Sequence, residues 1–315
     1  EKAASGEEHA AVKKEESAVE KAAVEHKKVE KQPAHQVEAA PERKELAKTA
    51  HRPPKKAAHA VEKEGPAIPG VLFTEKLIEV LDHELNGRVL GWRPNDIILG
   101  KITDNVKQFQ LGALEAIRFT TIRLKESFTR FGDADAYDPH LIQAVNLLMN
   151  KADQFWFPSA ESQYESAIEE LKKFLANLRQ GKSRFYYRVE NLSSLVAAYK
   201  DLLGNCHENL VKEFEADGSQ VSFFASDDYF YYAQGVAHVM VEILGAVRMS
   251  FVEQLRTIDA LDLMDKIIEE LERAVDIHPW IVLNSSPGSI LANQRYNLAA
   301  PISAALHGMG IMLKY

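Results

Sequence analysis

The chain has 315 residues, 46% of them hydrophobic, and a formal net charge of −8, enough apolar material to bury a sizeable core. Residues 1–70 carry 14 Lys+Arg against 13 Asp+Glu, so the acidity falls on the remainder and argues against a nucleic-acid footprint there. A single cysteine, Cys206, excludes an internal disulfide and any multi-cysteine metal site.

Residues 1–70 read as a low-complexity spacer of Ala, Glu, Lys, Val and His, with no aromatic before Phe73. Such a segment buries too little to offset the entropy of ordering. Its helix-forming stretch from Ala10 to Lys31 predicts at most a marginal helix, and Pro33, Pro41, Pro53, Pro54, Pro66 and Pro69 prevent a continuous one. The scattered His9, His26, His35, His51 and His59 read as solvated rather than as a metal tract. The chain starts at Glu1 rather than Met, and the expectation is that a signal or anchor segment lies upstream.

Residues 71–315 read as an all-α domain, one body or two packed halves meeting near 218. Thr74 is the expected cap of a helix over Glu75–Leu85, stopped by Asn86-Gly87. A structured loop, Gly91-Trp92-Arg93-Pro94-Asn95-Asp96, follows, with Trp92 expected to plug a groove between helices. Asp104 or Asn105 opens a helix to about Phe131. Asp138-Pro139, an N-cap with proline at the first helical position, opens another to about Phe155. Ser162 to Glu165 is a capping box for a helix ending at Gly181, with Ile168, Leu171, Leu175 and Leu178 inward and a Glu169–Lys173 pair outward. Further helices are expected over about 186–214 and 259–277, with Gln220 to Ala225 extended between the first of these and the next element. Trp280 to Leu283 reads as strand-like, leading to a turn and one or two short apolar helices.

The stretch that organises the domain is Ser226 to Leu255, opened by Ser226, Asp227 or Asp228 as cap. It is apolar almost all round, which predicts a central helix wrapped by others. Its length suits a bilayer, but Gln234, His238, Glu242 and Arg248 interrupt it, each charge costing roughly 2.5–3.5 kcal/mol near mid-membrane. The run Leu298 to Leu313 contains Pro301 and His307. Both are read as core.

Motifs for zinc proteases, di-iron bundles, phosphate loops and nucleophile elbows are absent. The polar stripe of the central helix remains: Gln234, His238 and Glu242 at i, i+4 and i+8. It reads first as a hydrogen-bonded seam, with a metal or ligand site on His238 and Glu242 as the alternative. Cys206-His207 cannot pair as nucleophile and base, because neighbours on a helix point apart. Trp92, Asn95 and Asp96 form a candidate recognition surface, or a turn with side-chain hydrogen bonds. Asn284 and Asn293 near the C-terminal turn carry the same two readings.

Gly91-Trp92-Arg93-Pro94-Asn95-Asp96, Asp104-Asn105 and Gln110-Leu111-Gly112 resemble the opening of an uncharacterised proteobacterial family, the domain of unknown function two-three-three-three. Ser159 to Tyr164, Phe185 to Arg188 with Asn191-Leu192, Trp280 to Asn284, Leu291 to Asn293 and Ile302-Ser303 resemble its later landmarks, so the likeness spans about 75–315. Ser285 stands where Gly is expected and Gln294 where His is expected; the second departure weakens any acid–base role for the C-terminal turn. The resemblance implies a membrane-anchored protein with no established activity and supplies no catalytic residues. The expectation is therefore a non-enzymatic, cofactor-free helical module that binds envelope proteins. It would be held at the bacterial inner membrane by an upstream anchor and face the periplasm, with the cytoplasm as the alternative.

Overall fold

A computed structural model describes residues 68–95, 104–132, 135–277 and 294–315. The spacer up to 67, Asp96, and the segment holding Trp280, Asn284 and Asn293 lie outside the described residues, as does the strand-like reading of 280–283. Within them the chain is all-α, nine helices with two π-helical turns, as the composition and periodicity predict.

Helix α1, Val71–Asp82, begins four residues before the expected Glu75. Gly70 turns the chain into it at φ 82°, a left-handed conformation that suits glycine, and Phe185 leaves no room there for a side chain. Thr74 is therefore inside the helix, its hydroxyl donating to the Gly70 carbonyl at 2.8 Å. A π-helical turn, His83–Gly87, ends the element where Asn86-Gly87 predicts a stop.

Helix α2, Asp104–Arg123, runs into a second π-helical turn, Leu124–Phe128. Helix α3, Pro139–Leu148, has the expected cap, Asp138 accepting from the His140 N–H at 2.9 Å. It stops seven residues short of Phe155, and the cause is partly tertiary. Arg118 of α2 donates to the carbonyls of Leu148 at 2.7 Å and Asn150 at 2.8 Å, and the Tyr164 hydroxyl also donates to the Asn150 carbonyl, so acceptors at the helix end are satisfied from outside the helix.

Helix α4, Ala160–Arg179, is capped by Ser159 rather than Ser162: the Ser159 hydroxyl oxygen accepts from the Ser162 N–H. Its inward residues are those the spacing predicts, but Lys173 pairs with Glu170, at 2.7 Å, and Lys172 with Glu169. Helix α5 is Val189–Val211. The expected extended segment reduces to an antiparallel bridge between Phe214 and Gln220. Helix α6, Phe223–Ser250, starts three residues before Ser226 because Ser222 accepts from the Ala225 N–H at 3.1 Å. Phe251 interrupts it, and the remainder of the predicted helix is a short α7, Val252–Thr257. Helix α8, Leu261–Val275, buries Met264, Ile267, Leu271 and Ala274. Helix α9, Gln294–Met312, is one helix with Pro301 inside it, where one or two short ones were expected.

Helix α6 lies against α1, α2, α5, α8 and α9. Its stretch Phe224–Ser250 is long and apolar enough to cross a membrane, yet 67% of its most apolar window is buried inside the fold, the condition of a core helix. The closest approach is between α2 and α6. A Cβ on Gly112 would lie 2.0 Å from the Tyr232 carbonyl oxygen, and one on Gly235 would lie 1.9 Å from that of Phe109. Residue 109 meets 235 while 112 meets 232, so the helices run antiparallel with backbones in contact. At one end of the bundle an aromatic cluster joins the elements. Phe128 stacks on Phe185 at 5.0 Å, Phe73 sits 5.2 Å from Phe128, and Phe251 packs edge-on against Tyr187 at 4.8 Å.

Candidate functional site

The polar stripe of α6 fans out. Eight residues at 100° each overshoot two full turns by about 80°, so Gln234, His238 and Glu242 address three different neighbours. Gln234 is buried, and its amide N–H groups reach the carbonyls of Ala274, Val275 and Ile277 at 2.7–3.2 Å. These are acceptors at the C-terminal end of α8, and a buried amide satisfies them. Glu242 faces Lys76 of α1 at 3.3 Å, and Lys76 also pairs with Glu79. Burial alone would lower the Lys76 pKa; the two carboxylates outweigh it and raise it.

His238 faces α2, its ring 5.6 Å from that of Phe109. The Arg88 guanidinium lies over the same Phe109 ring at 4.6 Å, a cation–π contact. Arg88 also grips Glu84, 1% exposed, through Nε at 2.6 Å and Nη2 at 2.8 Å. The forked guanidinium matches both carboxylate oxygens, which is what a buried carboxylate requires. Burial lowers the His238 pKa below 6.5; Glu84 and Glu242 oppose this, and Arg88 and His83 reinforce it. Burial thus favours the neutral imidazole of His238. Among the described residues no group of three or more His, Cys, Asp or Glu is arranged to hold a metal ion.

The Trp92 loop packs inward. Trp92 is buried, its indole N–H donates to the Ala152 carbonyl at 3.0 Å, and its ring meets Tyr164 edge-on at 5.3 Å. Asn95, also buried, donates to the Glu161 carboxylate at 2.7 Å and to the Gln154 carbonyl at 3.4 Å. Gln110 fixes the start of the loop: its side-chain oxygen accepts from the Arg93 N–H, and its amide donates to the carbonyls of Glu84 and Gly91. Cys206 is buried and its thiol is pushed up to about 12 by burial, far from a reactive thiolate.

Three features escaped the sequence reading. Arg295 of α9 is 2% exposed, donating to the Asn209 and Lys212 carbonyls at the end of α5 and to the Ser226 hydroxyl. Burial lowers its pKa from the usual guanidinium value. An arginine between Gln294 and Tyr296 carries no sign in sequence that it caps a distant helix. At the start of α6, burial raises the Asp227 carboxyl to about 6, helped by Asp228 and Asp104.

The third feature is the loop between α3 and α4. Phe155, Trp156 and Phe157 are 52%, 81% and 93% exposed, held out on a closed frame. The Ala160 N–H donates to the Gln154 carbonyl at 2.9 Å, and the Gln154 side chain donates to the Pro158 carbonyl at 2.7 Å. Trp92 and Asn95 brace the same frame from behind. The signal was in the sequence: three consecutive aromatics followed by proline do not suit the exposed end of a helix.

A family model described as an uncharacterized protein conserved in bacteria (DUF2333) matches residues 37–218 and 211–310. The chain belongs to that family. The DUF2333 match begins at 37, inside the segment that composition assigns to the spacer. No curated protein and no solved structure matches the chain. The described residues that carry the DUF2333 resemblance mostly do packing work. Gly91 adopts φ 64°, Gly112 lies on the Tyr232 backbone, and the Asn191 amide donates to the Tyr186 carbonyl at 3.0 Å.

Proposed function

We propose that this DUF2333 chain is a non-catalytic helical interaction module of the bacterial cell envelope. In this reading an upstream anchor tethers it to the inner membrane, the 1–70 spacer gives it reach, and the helical body faces the periplasm. The observation that carries the reading is the Phe155-Trp156-Phe157 tip. Exposed aromatic surface of this kind marks interaction sites on soluble domains, and its frame is fixed in advance, which reduces the ordering cost of binding. The polar stripe of α6 supports the same reading, since Gln234 and Glu242 are engaged in holding α8 and α1.

The test is a photo-cross-linking residue placed at position 156 in living cells, beside a control at the exposed Lys172. A discrete adduct at 156, lost when Phe155 and Phe157 become serine, is the expected result. Identical labelling at 156 and 172 would remove the basis for the module. Reporter fusions after Tyr315 read the compartment, and activity of a cytoplasmic reporter alone would overturn the periplasmic placement.

A further inference from the structure

We infer that the Phe155-Trp156-Phe157 tip docks on a lipid bilayer surface, its three rings entering the headgroup region. The inference rests on the interaction-module reading and names the partner of that same tip. Loop closure between Gln154 and Ala160 leaves three successive rings facing out of a short turn, a convex shape. Together the rings offer roughly 500 Å² of accessible surface, short of the ~800 Å² per side of a stable protein interface. Insertion into a bilayer has no such threshold; it strengthens continuously with the apolar area buried. The ring types also suit the interface, where Trp in particular concentrates because its body is apolar and its N–H is polar. The tip lies in a seven-residue run without charge, Gln154 to Ala160, flanked by Lys151 and Asp153 before it and Glu161 after it, so no basic cluster adjoins it. Binding is therefore driven by apolar burial rather than by attraction to anionic lipid, and the acidic body adds none.

The experiment is flotation of the full chain with phosphatidylcholine vesicles, with and without phosphatidylglycerol. The expected result is co-flotation with both, changed less than about twofold by 0.5 M salt, since ionic screening leaves apolar contacts intact. Trp156→Ser with Phe157→Ser lowers the bound fraction about tenfold, as removal of most of the inserted area requires. Met249→Ser, at an exposed site on α6, leaves it unchanged. A blue shift of tryptophan emission on adding vesicles, abolished in Trp156→Phe while flotation persists, assigns the contact to the tip. Failure to float, or equal flotation of the double variant, overturns the lipid inference. If the in-cell adduct at 156 is then a protein, the interaction module stands with a different partner. With neither vesicle binding nor a tip-dependent adduct, both fall.

Discussion

The α2/α6 crossing and the α3–α4 loop use apolar material in opposite ways. At the crossing, Gly112 and Gly235 bring two backbones together until neither position has room for a methyl group. At the loop, three aromatic rings are held away from the body by hydrogen bonds among backbone carbonyls, Trp92, Asn95 and Gln154. One region is closed by the absence of side chains and the other stays open despite large ones. Burial here follows from what the neighbouring backbone permits, and hydrophobicity alone predicts neither.

Breaking the crossing should produce the largest effect. Gly235→Val places atoms against the Phe109 carbonyl, and the loss of stability should reach or exceed the ~3 kcal/mol upper end of ordinary overpacking. Chemical denaturation reads it, and an unchanged midpoint would mean that the two helices do not touch. Next comes the frame behind the loop. Gln110→Ala strands buried backbone groups of Arg93, Glu84 and Gly91, at a cost of about 1–3 kcal/mol, seen as a lower melting temperature and faster amide exchange at Arg93.

Asp227→Asn gives a smaller, pH-resolved effect. Burial raises this carboxyl from 3.8 to about 6, so the folded state holds the proton more tightly than the unfolded chain. The stabilisation is fully present below pH 3.8 and is lost as pH rises through 6. The variant should therefore match the native protein near pH 3.5 and be the more stable one above pH 6 in paired melting curves. Identical curves across that window would place Asp227 in open solvent. Trp156→Ser sharpens the contrast from the other side. Removing an 81% exposed ring should shift stability by no more than about 0.5 kcal/mol, and a larger loss would mean the ring is packed.

Local signals were read well where the chemistry is confined to neighbours. The Asp138-Pro139 cap formed as expected, since a carboxylate and a fixed φ need no distant partner. Two serine caps were misplaced, Ser162 for Ser159 and Ser226 for Ser222. Each has a second serine within one helical turn, and tertiary packing chooses which residue leaves helical geometry. The α6 stripe looked like one face because i, i+4 and i+8 are close on a helix. The residual rotation of about 80° was enough to give Gln234, His238 and Glu242 separate neighbours. The end of α3 is only partly legible, because the local Asn150 amide caps the Leu147 carbonyl while Arg118, thirty residues upstream, and Tyr164 supply the other donors.

By itself the sequence determined that the described part of the chain beyond residue 70 is built from helices and that the segment around 226–250 lies at the centre, because apolar residues on every face leave a helix no stable place except among others. Only the tertiary structure decided which glycines carry the tightest contact, which carbonyls Arg118, Gln234 and Arg295 satisfy, and which aromatics remain outside. Those outcomes depend on atoms far apart in the chain arriving within a few ångströms of one another, and local periodicity holds no record of such distances.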